Sequence, residues 1–291
     1  MDIYEAIQAR YSVRLYSKRQ LDLDSRVALE AALASITAGP LGSELRFALI
    51  AAAPGDSSAL RGLGTYGFIR DPAGFIIGSV TAGAHALEDY GYAMEQAILE
   101  ATCLGLGTCW LGGTFTQSSF AARISRQEHE VIPAVTALGY PAVDARQRDS
   151  VRRRARADTR LPWQALFFDG GFSTPLDRLQ AGEFVRVLDM VRIAPSASNR
   201  QPWRVVRSGD AWHFFCQRTP GYGKGSLLFT VLRLADLQRL DVGIAMCHFD
   251  LAARAAGLAG DWRAQDPGLP PMDARTLYVA SWVARSRASD R

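Results

Sequence analysis

The sequence predicts an α+β protein made of two related halves, an internally duplicated pseudodimer within one chain. Two repeats carry this prediction. Residues 243–262 repeat residues 91–110 at an offset of 152, with eight identical positions, far more than chance matching gives. Residues 29–40 and 184–195 both form an amphipathic segment that ends in a proline turn. Because strand-like segments alternate with these helices, each half is expected to pack helices across a sheet.

The two longest predicted helices cover about Gly83–Leu104 and Asp236–Ala256. Both are rich in Ala, Leu and Met on most faces, and a glycine follows each where a helix commonly ends. A helix that is apolar nearly all round belongs in a core or an interface. We therefore expect these helices to pack against each other near a pseudo-twofold axis.

Strand candidates are found in both halves. In the first half they are Arg46–Ala53, Gly74–Val80 and Val131–Tyr140, and in the second half Arg204–Arg207, Trp212–Gln217 and Leu277–Ala284. Proline and glycine punctuate the stretch Pro162–Pro175, which indicates a boundary. The predicted halves are therefore residues 1–165 and 176–291.

The composition is that of an ordinary globular protein, with 48% hydrophobic and 21% charged residues. No apolar run reaches the roughly 18 residues of a transmembrane helix, and the N-terminal residues carry acids instead of an apolar signal segment. A cytoplasmic protein without a membrane partner is expected. The four cysteines and four histidines show no metal-ligand spacing, so the cysteines are expected to stay reduced and pack as small hydrophobic groups, and no metal is predicted.

Seven arginines crowd one short stretch of a chain whose net charge is +4. Such a cluster can bind nucleic acid. However, three aspartates are interleaved with it, and no aromatic side chain lies there to stack on bases. The favoured interpretation is a solvated helix, with no nucleic-acid partner and one arginine, Arg160, reserved for another role. The cluster consists of Arg146, Arg148, Arg152, Arg153, Arg154, Arg156 and Arg160.

Two further stretches have the chemistry of half-sites for a phosphorylated planar cofactor. RYSVR, at residues 10–14, places two guanidiniums and a hydroxyl within five residues. APSASNRQPW, at residues 194–203, offers a proline-fixed turn that carries Ser196, Ser198 and Asn199. The two stretches lie about 180 residues apart in the chain, one in each half.

With GLGTCWLGG at residues 105–113, these stretches form three motifs in a characteristic order. By these motifs the chain resembles the nitroreductase superfamily along nearly its whole length, and most of all its long single-chain branch, the TM nitroreductase-like proteins. The resemblance implies a nitroreductase-like fold and an FMN cofactor. In dimeric members each FMN is held by one element from each subunit, so the resemblance implies a fused dimer. A monomer is then possible because the dimer interface is internal.

The resemblance also implies roles for individual residues. Arg10 and Ser12 are expected to bind the FMN phosphate and ribityl chain. Arg14 is expected at the N1/O2 edge, and the backbone of Gly112 and Gly113 at N5 and O4. Arg14, Gly112 and Gly113 are therefore the catalytic candidates, and Arg160 completes the phosphate clamp. The other cofactor-binding candidates are Tyr11, Trp110, Leu111, Pro195, Ser196, Ala197 and Asn199.

One position departs from the family pattern. Asp158 stands where several relatives carry a second basic phosphate ligand, so either cofactor binding is weaker or another arginine of the cluster replaces it. The equivalent second site is degraded in three places: residues 170–178 lack the arginine pair, residues 39–44 lack the asparagine, and residues 257–263 lack the glycine pair. One FMN per chain is predicted.

The resulting hypothesis is an FMN-dependent oxidoreductase that transfers reducing equivalents from NAD(P)H to an electron-poor acceptor, nitroaromatic or quinone-like. The alternative is a non-catalytic flavin-binding or regulatory protein on the same scaffold. Retention of Arg14, Gly112 and Gly113, which serve the reacting edge of the flavin, favours the enzyme.

Overall fold

Two five-stranded sheets flank a pair of long helices in the structure, a computed structural model that describes residues 1–52, 58–65, 67–113, 115, 117–222 and 235–285. The helices within these residues are α1 (Ile3–Ala9), α2 (Leu23–Ser35), α3 (Ala86–Cys103), α4 (Gln117–Arg123), α5 (Ala145–Arg148), α6 (Ser150–Arg154), α7 (Val185–Arg192) and α8 (Leu237–Ala255). The strands are β1 (Leu45–Ala51), β2 (Gly74–Thr81), β3 (Gly107–Leu111), β4 (Glu130–Val131), β5 (Val135–Gly139), β6 (Phe167–Asp169), β7 (Trp203–Ser208), β8 (Ala211–Gln217), β9 (Gly260–Arg263) and β10 (Thr276–Ala284).

The two sheets share one topology. The first has the strand order β1-β2-β5-β3, and the second has β7-β8-β10-β9, with antiparallel pairing throughout. Along the chain, the long helix of each half follows the second strand: α3 lies between β2 and β3, and α8 lies between β8 and β9. Two strands lie outside the shared order: β4 pairs with β2, and β6 pairs in parallel with β7. The predicted α+β fold with an internal duplication is confirmed.

Helices α3 and α8 meet at two glycines that occupy equivalent positions. A Cβ atom on Gly91 would lie 2.2 Å from the carbonyl oxygen of Leu240, and one on Gly243 would lie 2.1 Å from that of Glu88. Both members of each contact are related by the offset of 152, so the crossing is self-complementary, as at a twofold dimer interface. The expectation that these helices pack on each other is confirmed.

The halves are also joined by polar contacts and by shared core. Tyr4, in α1, donates a hydrogen bond from its hydroxyl to the carbonyl oxygen of Ala252 in α8 (2.8 Å). Tyr92, in α3, donates to the carboxylate of Asp250 in α8 (2.5 Å). Tyr4 and the buried Ile7 belong to the same apolar cluster as the second sheet. The first helix of the chain thus packs in the core of the second half.

Several predicted elements need correction. The strand predicted over 131–140 is two strands, β4 and β5, because Pro133 interrupts the ladder. The strand predicted over 46–53 ends at Ala51, and Ala53 lies outside the described residues. The segment 166–175, which the prediction left between the halves, contributes β6 to the second sheet.

The amphipathic helix predicted at residues 29–40 begins earlier, at Leu23. Asp22 caps it by accepting a hydrogen bond from the backbone N–H of Ser25. Three of the four cysteines are buried as expected, but Cys103 is exposed. Among the described helices, none combines the length and apolar character needed to cross a bilayer.

Candidate functional site

An open cleft between the halves brings together ten of the thirteen residues predicted to bind the cofactor. It has walls from the RYSVR segment, the end of β3, the segment that holds α6, and the loop after α7. About 920 Å³ in and around it is free of protein atoms. The predicted residues that line it are Arg10, Tyr11, Ser12, Arg14, Trp110, Leu111, Arg160, Pro195, Ser196 and Asn199.

The RYSVR segment runs in an extended conformation along one wall of the cleft. Helix α1 ends at Ala9, and the backbone of Arg10 leaves it with φ −61° and ψ 126°. The N–H of Val13 then donates to the carbonyl oxygen of Thr108 in β3 (2.8 Å). Because successive side chains in an extended chain point to opposite sides, Arg10, Ser12 and Arg14 share one side. Val13 is buried on the other.

The loop after α7 holds three non-glycine residues in the left-handed region. The φ values are 51° at Ser198, 54° at Asn199 and 49° at Gln201. Such backbone is strained and persists where surrounding contacts fix it. Here Ser196 Oγ accepts from the N–H of Gln201 (2.8 Å), and Ala197 N–H donates to Asp241 (2.9 Å). The loop thereby presents Pro195, Ser196 and Ser198 to the cleft.

Arg160 is half-buried and is held by oxygen atoms of the backbone. Its Nη1 donates to the carbonyls of Ala157 and Thr159 (both 2.8 Å), and its Nη2 to that of Ile193 (3.1 Å). Burial, together with the guanidiniums of Arg10 and Arg152, lowers the pKa of Arg160 to about 10. The group therefore remains charged at neutral pH.

Asn199 supports the segment that carries Arg160. Its Nδ2 donates to the carbonyls of Arg156 (2.8 Å) and Thr159 (3.1 Å), and its Oδ1 lies 3.4 Å from Arg160 Nη1. In the structure its amide is thus engaged by the protein. The role predicted for Asn199 as a direct cofactor contact stays a prediction.

Arg152 is a cleft residue that the sequence interpretation missed. The arginine cluster was expected to be a solvated helix, but Arg152 is only 7% exposed and lines the cleft. The stretch forms two short helices separated at Asp149, which caps α6 by accepting from the N–H of Arg152 (2.9 Å). Nothing in the sequence separates Arg152 from Arg153 or Arg154, since the rotation of α6 decides which one faces the cleft.

Three guanidiniums in this cleft have a buried Nε atom that makes no hydrogen bond. The Nε atoms of Arg152 and Arg160 have no partner among the described residues, whereas Arg10 Nε lies 3.4 Å from Oε1 of Glu95 as an ion pair. Burial also lowers the pKa of Arg10, and the charge of Arg152 lowers it further. Buried donors are normally satisfied, and converging cations repel one another. The donor set therefore fits an anionic group with several acceptor oxygens, such as a phosphate.

Arg14 stands apart from these three and pairs with a carboxylate. Its Nη1 lies 2.7 Å from Oδ2 of Asp149, which is buried. Asp149 is one of the aspartates interleaved with the arginine cluster, but its carboxylate pairs with Arg14, which lies outside that cluster. The charge that Arg14 presents to the cleft is thus partly compensated by the residue that also caps α6.

A buried carboxylate below the cleft connects both halves. Glu95, in α3, accepts from Trp110 Nε1 (2.7 Å), lies 3.0 Å from His248 Nε2 and 3.4 Å from Arg10 Nε. His248 Nδ1 faces the carbonyl oxygen of Met190 (2.9 Å). Both ring nitrogens of His248 thus face an oxygen atom, one of the backbone and one of Glu95. His248 is fully buried, and each of its ring nitrogens has a partner.

Three predicted site residues do not line the cleft: Gly112, Gly113 and Ala197. A Cβ on Gly112 would lie 2.5 Å from the side chain of Leu237, so this glycine permits close packing against α8. Gly113 is exposed, and the neighbouring residues 114 and 116 lie outside the described part of the chain. The roles predicted for these backbone groups stay predictions.

The fold and the site together define a class of protein, an α+β pseudodimer with an arginine-lined cleft between its halves. The family model "Putative TM nitroreductase" matches residues 2–253, and the chain belongs to this nitroreductase family. The resemblance noted from the three motifs is thereby confirmed. Membership in this family implies an oxidoreductase.

Two solved structures are similar to this chain. A putative nitroreductase from Thermotoga maritima is 22% identical, with a TM-score of 0.58 over 97% of this chain and 94% of its own. A nitroreductase with bound FMN from Bacteroides fragilis is 26% identical, with a TM-score of 0.39 over 50% of this chain and 91% of its own. No curated protein matches the chain.

Proposed function

We propose that the chain is an FMN-dependent oxidoreductase that takes reducing equivalents from NAD(P)H and passes them to an electron-poor acceptor, nitroaromatic or quinone-like. The observation that carries the proposal is the cleft between the halves. Arg10, Arg152 and Arg160 converge there beside the hydroxyls of Ser12 and Ser196, and the Nε–H groups of Arg152 and Arg160 have no partner among the described residues. A phosphate together with a hydroxylated chain matches this donor set.

Different residues of the cleft would bind different parts of the cofactor. Arg10 and Arg160 would bind its phosphate, and Ser12 and Ser196 its hydroxyls, with Pro195 closing the site from the other half. Bound FMN would supply the redox chemistry, the transfer of two electrons from donor to acceptor. Arg14 would stabilise the negative charge that the bound cofactor gains on reduction.

A non-catalytic flavin-binding protein remains the second candidate, because the phosphate-binding residues serve binding alone equally well. Arg14 favours the enzyme, since a cation at the reacting edge is not needed for simple binding. Loss of the visible flavin absorption on anaerobic addition of NADH or NADPH to the FMN-loaded protein is expected for the enzyme. An unchanged spectrum would favour the alternative.

The pseudo-equivalent site is not proposed to bind a second FMN. The loop at residues 39–43, which corresponds to the loop after α7, is closed by Asp89, whose two oxygens accept from the N–H groups of Leu41 and Ser43. Arg178, the arginine of the segment 170–178, pairs with Asp189 (2.7 Å). The loop at residues 39–43 and Arg178 thus already have partners within the protein.

One FMN per chain is therefore the expected stoichiometry. Titration calorimetry should give a single site, and saturating FMN should raise the melting temperature, because a ligand at a hundred times its Kd adds about 2.7 kcal/mol to the free energy of unfolding. Two equivalent sites would contradict the single-site proposal, and the absence of binding would contradict the proposed function.

Substitution of Arg14 is expected to separate redox tuning from binding. Arg14→Ala should lower the reduction potential of the bound cofactor, because the charge at its edge appears only on reduction. Arg160→Ala should weaken oxidised and reduced FMN alike and leave the potential nearly unchanged, since an interaction equal in both states cancels. Potentiometric titration of both variants measures this. An unmoved potential in Arg14→Ala would remove the role given to Arg14.

A further inference from the structure

The carboxylate of Asp158 forms an ion pair with Arg152, one of the three arginines that converge in the cleft. It pairs with Nη2 of Arg152 and with Nη2 of Arg146 (2.6 Å). The two sides of the Arg152 pair differ in burial, since the side chain of Arg152 is 8% exposed and that of Asp158 is 61% exposed. The cation is thus part of the cleft wall, whereas the anion approaches from solvent.

Arg152 is held in place independently of Asp158. It lies in α6, whose N-terminus is capped by the buried carboxylate of Asp149. Its guanidinium carbon lies 5.6 Å from the centre of the Tyr11 ring, which also lines the cleft. Its Nε remains without a partner even while Nη2 is paired. Removing Asp158 would therefore leave Arg152 facing the cleft.

We propose that Arg152 is a phosphate-binding cation of this cleft and that Asp158 is an internal competitor, which a phosphate monoester displaces from Arg152 when it binds. The proposal rests on the proposed function and extends it, because it names a ligand residue and a competing anion that the three motifs do not contain. It also accounts for the acidic residue at position 158, where several relatives carry a basic phosphate ligand, because Arg152 in α6 would supply the basic group instead.

The charges and the exposure favour such an exchange. A phosphate monoester carries close to two negative charges at neutral pH and three acceptor oxygens, so it can engage Arg10, Arg152 and Arg160 together. Of these three arginines, the carboxylate of Asp158 pairs with Arg152 alone. Hydrogen bonds from Arg152 and Arg146 lower the pKa of Asp158 to about 2, so it competes as an anion at every pH used for binding. After displacement, Asp158 keeps Arg146 as a partner.

The test compares FMN with riboflavin, which lacks the phosphate, by titration calorimetry on the full chain. Asp158→Asn should bind FMN about two- to fivefold more tightly, the range for removing a competing, partly exposed ion pair. Arg152→Ala should weaken FMN about tenfold or more. Riboflavin affinity should change in neither variant. In the double variant, Asp158→Asn should bring no gain, because its target is absent.

Two matched controls separate these contacts from a general change of charge. Asp144→Asn removes an exposed carboxylate nearby, and Arg153→Ala removes the exposed arginine that follows Arg152 in α6. Both should leave FMN affinity unchanged. If Asp144→Asn tightens FMN as much as Asp158→Asn does, or if the gain persists in the double variant, the proposal is overturned.

The remaining outcomes are also decisive. Equal shifts for FMN and riboflavin would show a structural effect and overturn the proposal. Wild-type binding of FMN with no change in Asp158→Asn would overturn this inference and leave the proposed function standing. No binding of FMN by the wild type or by either variant would overturn both. Because Asp158→Asn changes an exposed side chain, the test does not depend on whether Arg152→Ala folds.

Discussion

Replacing Gly91 or Gly243 with alanine is expected to lower the free energy of unfolding by about 3 kcal/mol or more, the upper range for overpacking. The added Cβ would lie 2.2 Å or 2.1 Å from a backbone carbonyl oxygen of the facing helix. A carbonyl within a helix cannot turn aside, so α3 and α8 would have to separate along their length. At a helix position with room for the methyl group, replacing glycine with alanine would instead raise the free energy of unfolding by up to about 1 kcal/mol.

Urea unfolding of the two variants measures this effect, with Gly171→Ala as the control. Nothing lies within 4 Å of a Cβ built on Gly171, so that variant should unfold like the wild type. Because the two contacts are pseudo-equivalent, the losses at Gly91 and Gly243 should be similar. A loss at one position and none at the other would contradict the self-complementary crossing.

Loss of the Glu95 carboxylate is the other large effect. Glu95→Ala is expected to lower the free energy of unfolding by about 3–5 kcal/mol, because it leaves Nε2 of His248, the indole N–H of Trp110 and the guanidinium of Arg10 buried without the carboxylate that they face. Glu95→Gln should cost less, since the amide oxygen still accepts from one donor. Unfolding by urea, monitored by circular dichroism, gives both values.

Glu100→Ala provides the matched control for this substitution. Glu100 lies on the same helix, α3, with its side chain exposed, and its removal should change stability by no more than about 0.5 kcal/mol. If Glu95→Ala and Glu100→Ala lower the free energy of unfolding equally, Glu95 is not the junction between the halves described above.

The duplication and the long helices could be predicted from sequence because both are local or repeated patterns. Eight identities at one offset and two apolar helices define the architecture without any knowledge of contacts. The short strands β3 and β9 were missed, since each completes its hydrogen bonds only with β5 or β10, far along the chain. The sequences of β3 and β9 are equally compatible with a loop that follows a helix.

The candidate site was predictable where a motif carries it and not where tertiary packing does. Residues of the three motifs meet at one cleft, as expected from their order. Arg152 was missed because neighbouring arginines give the same local pattern. Glu95 did carry a signal that went unused: it is an acid in a helix predicted to be buried on most faces, and such a charge must find a partner.

The offset of 152 places Cys247 opposite Glu95 and Gln96 opposite His248. Burial, together with the carboxylate of Glu95, raises the pKa of the Cys247 thiol. In a dimer of identical subunits, a glutamate at this position would face its own copy, and two carboxylates would be buried side by side. Joining the subunits in one chain removes that constraint, because each side of the axis carries its own residue: Cys247 stands where symmetry would have placed a second buried carboxylate, and a single Glu95 pairs with His248.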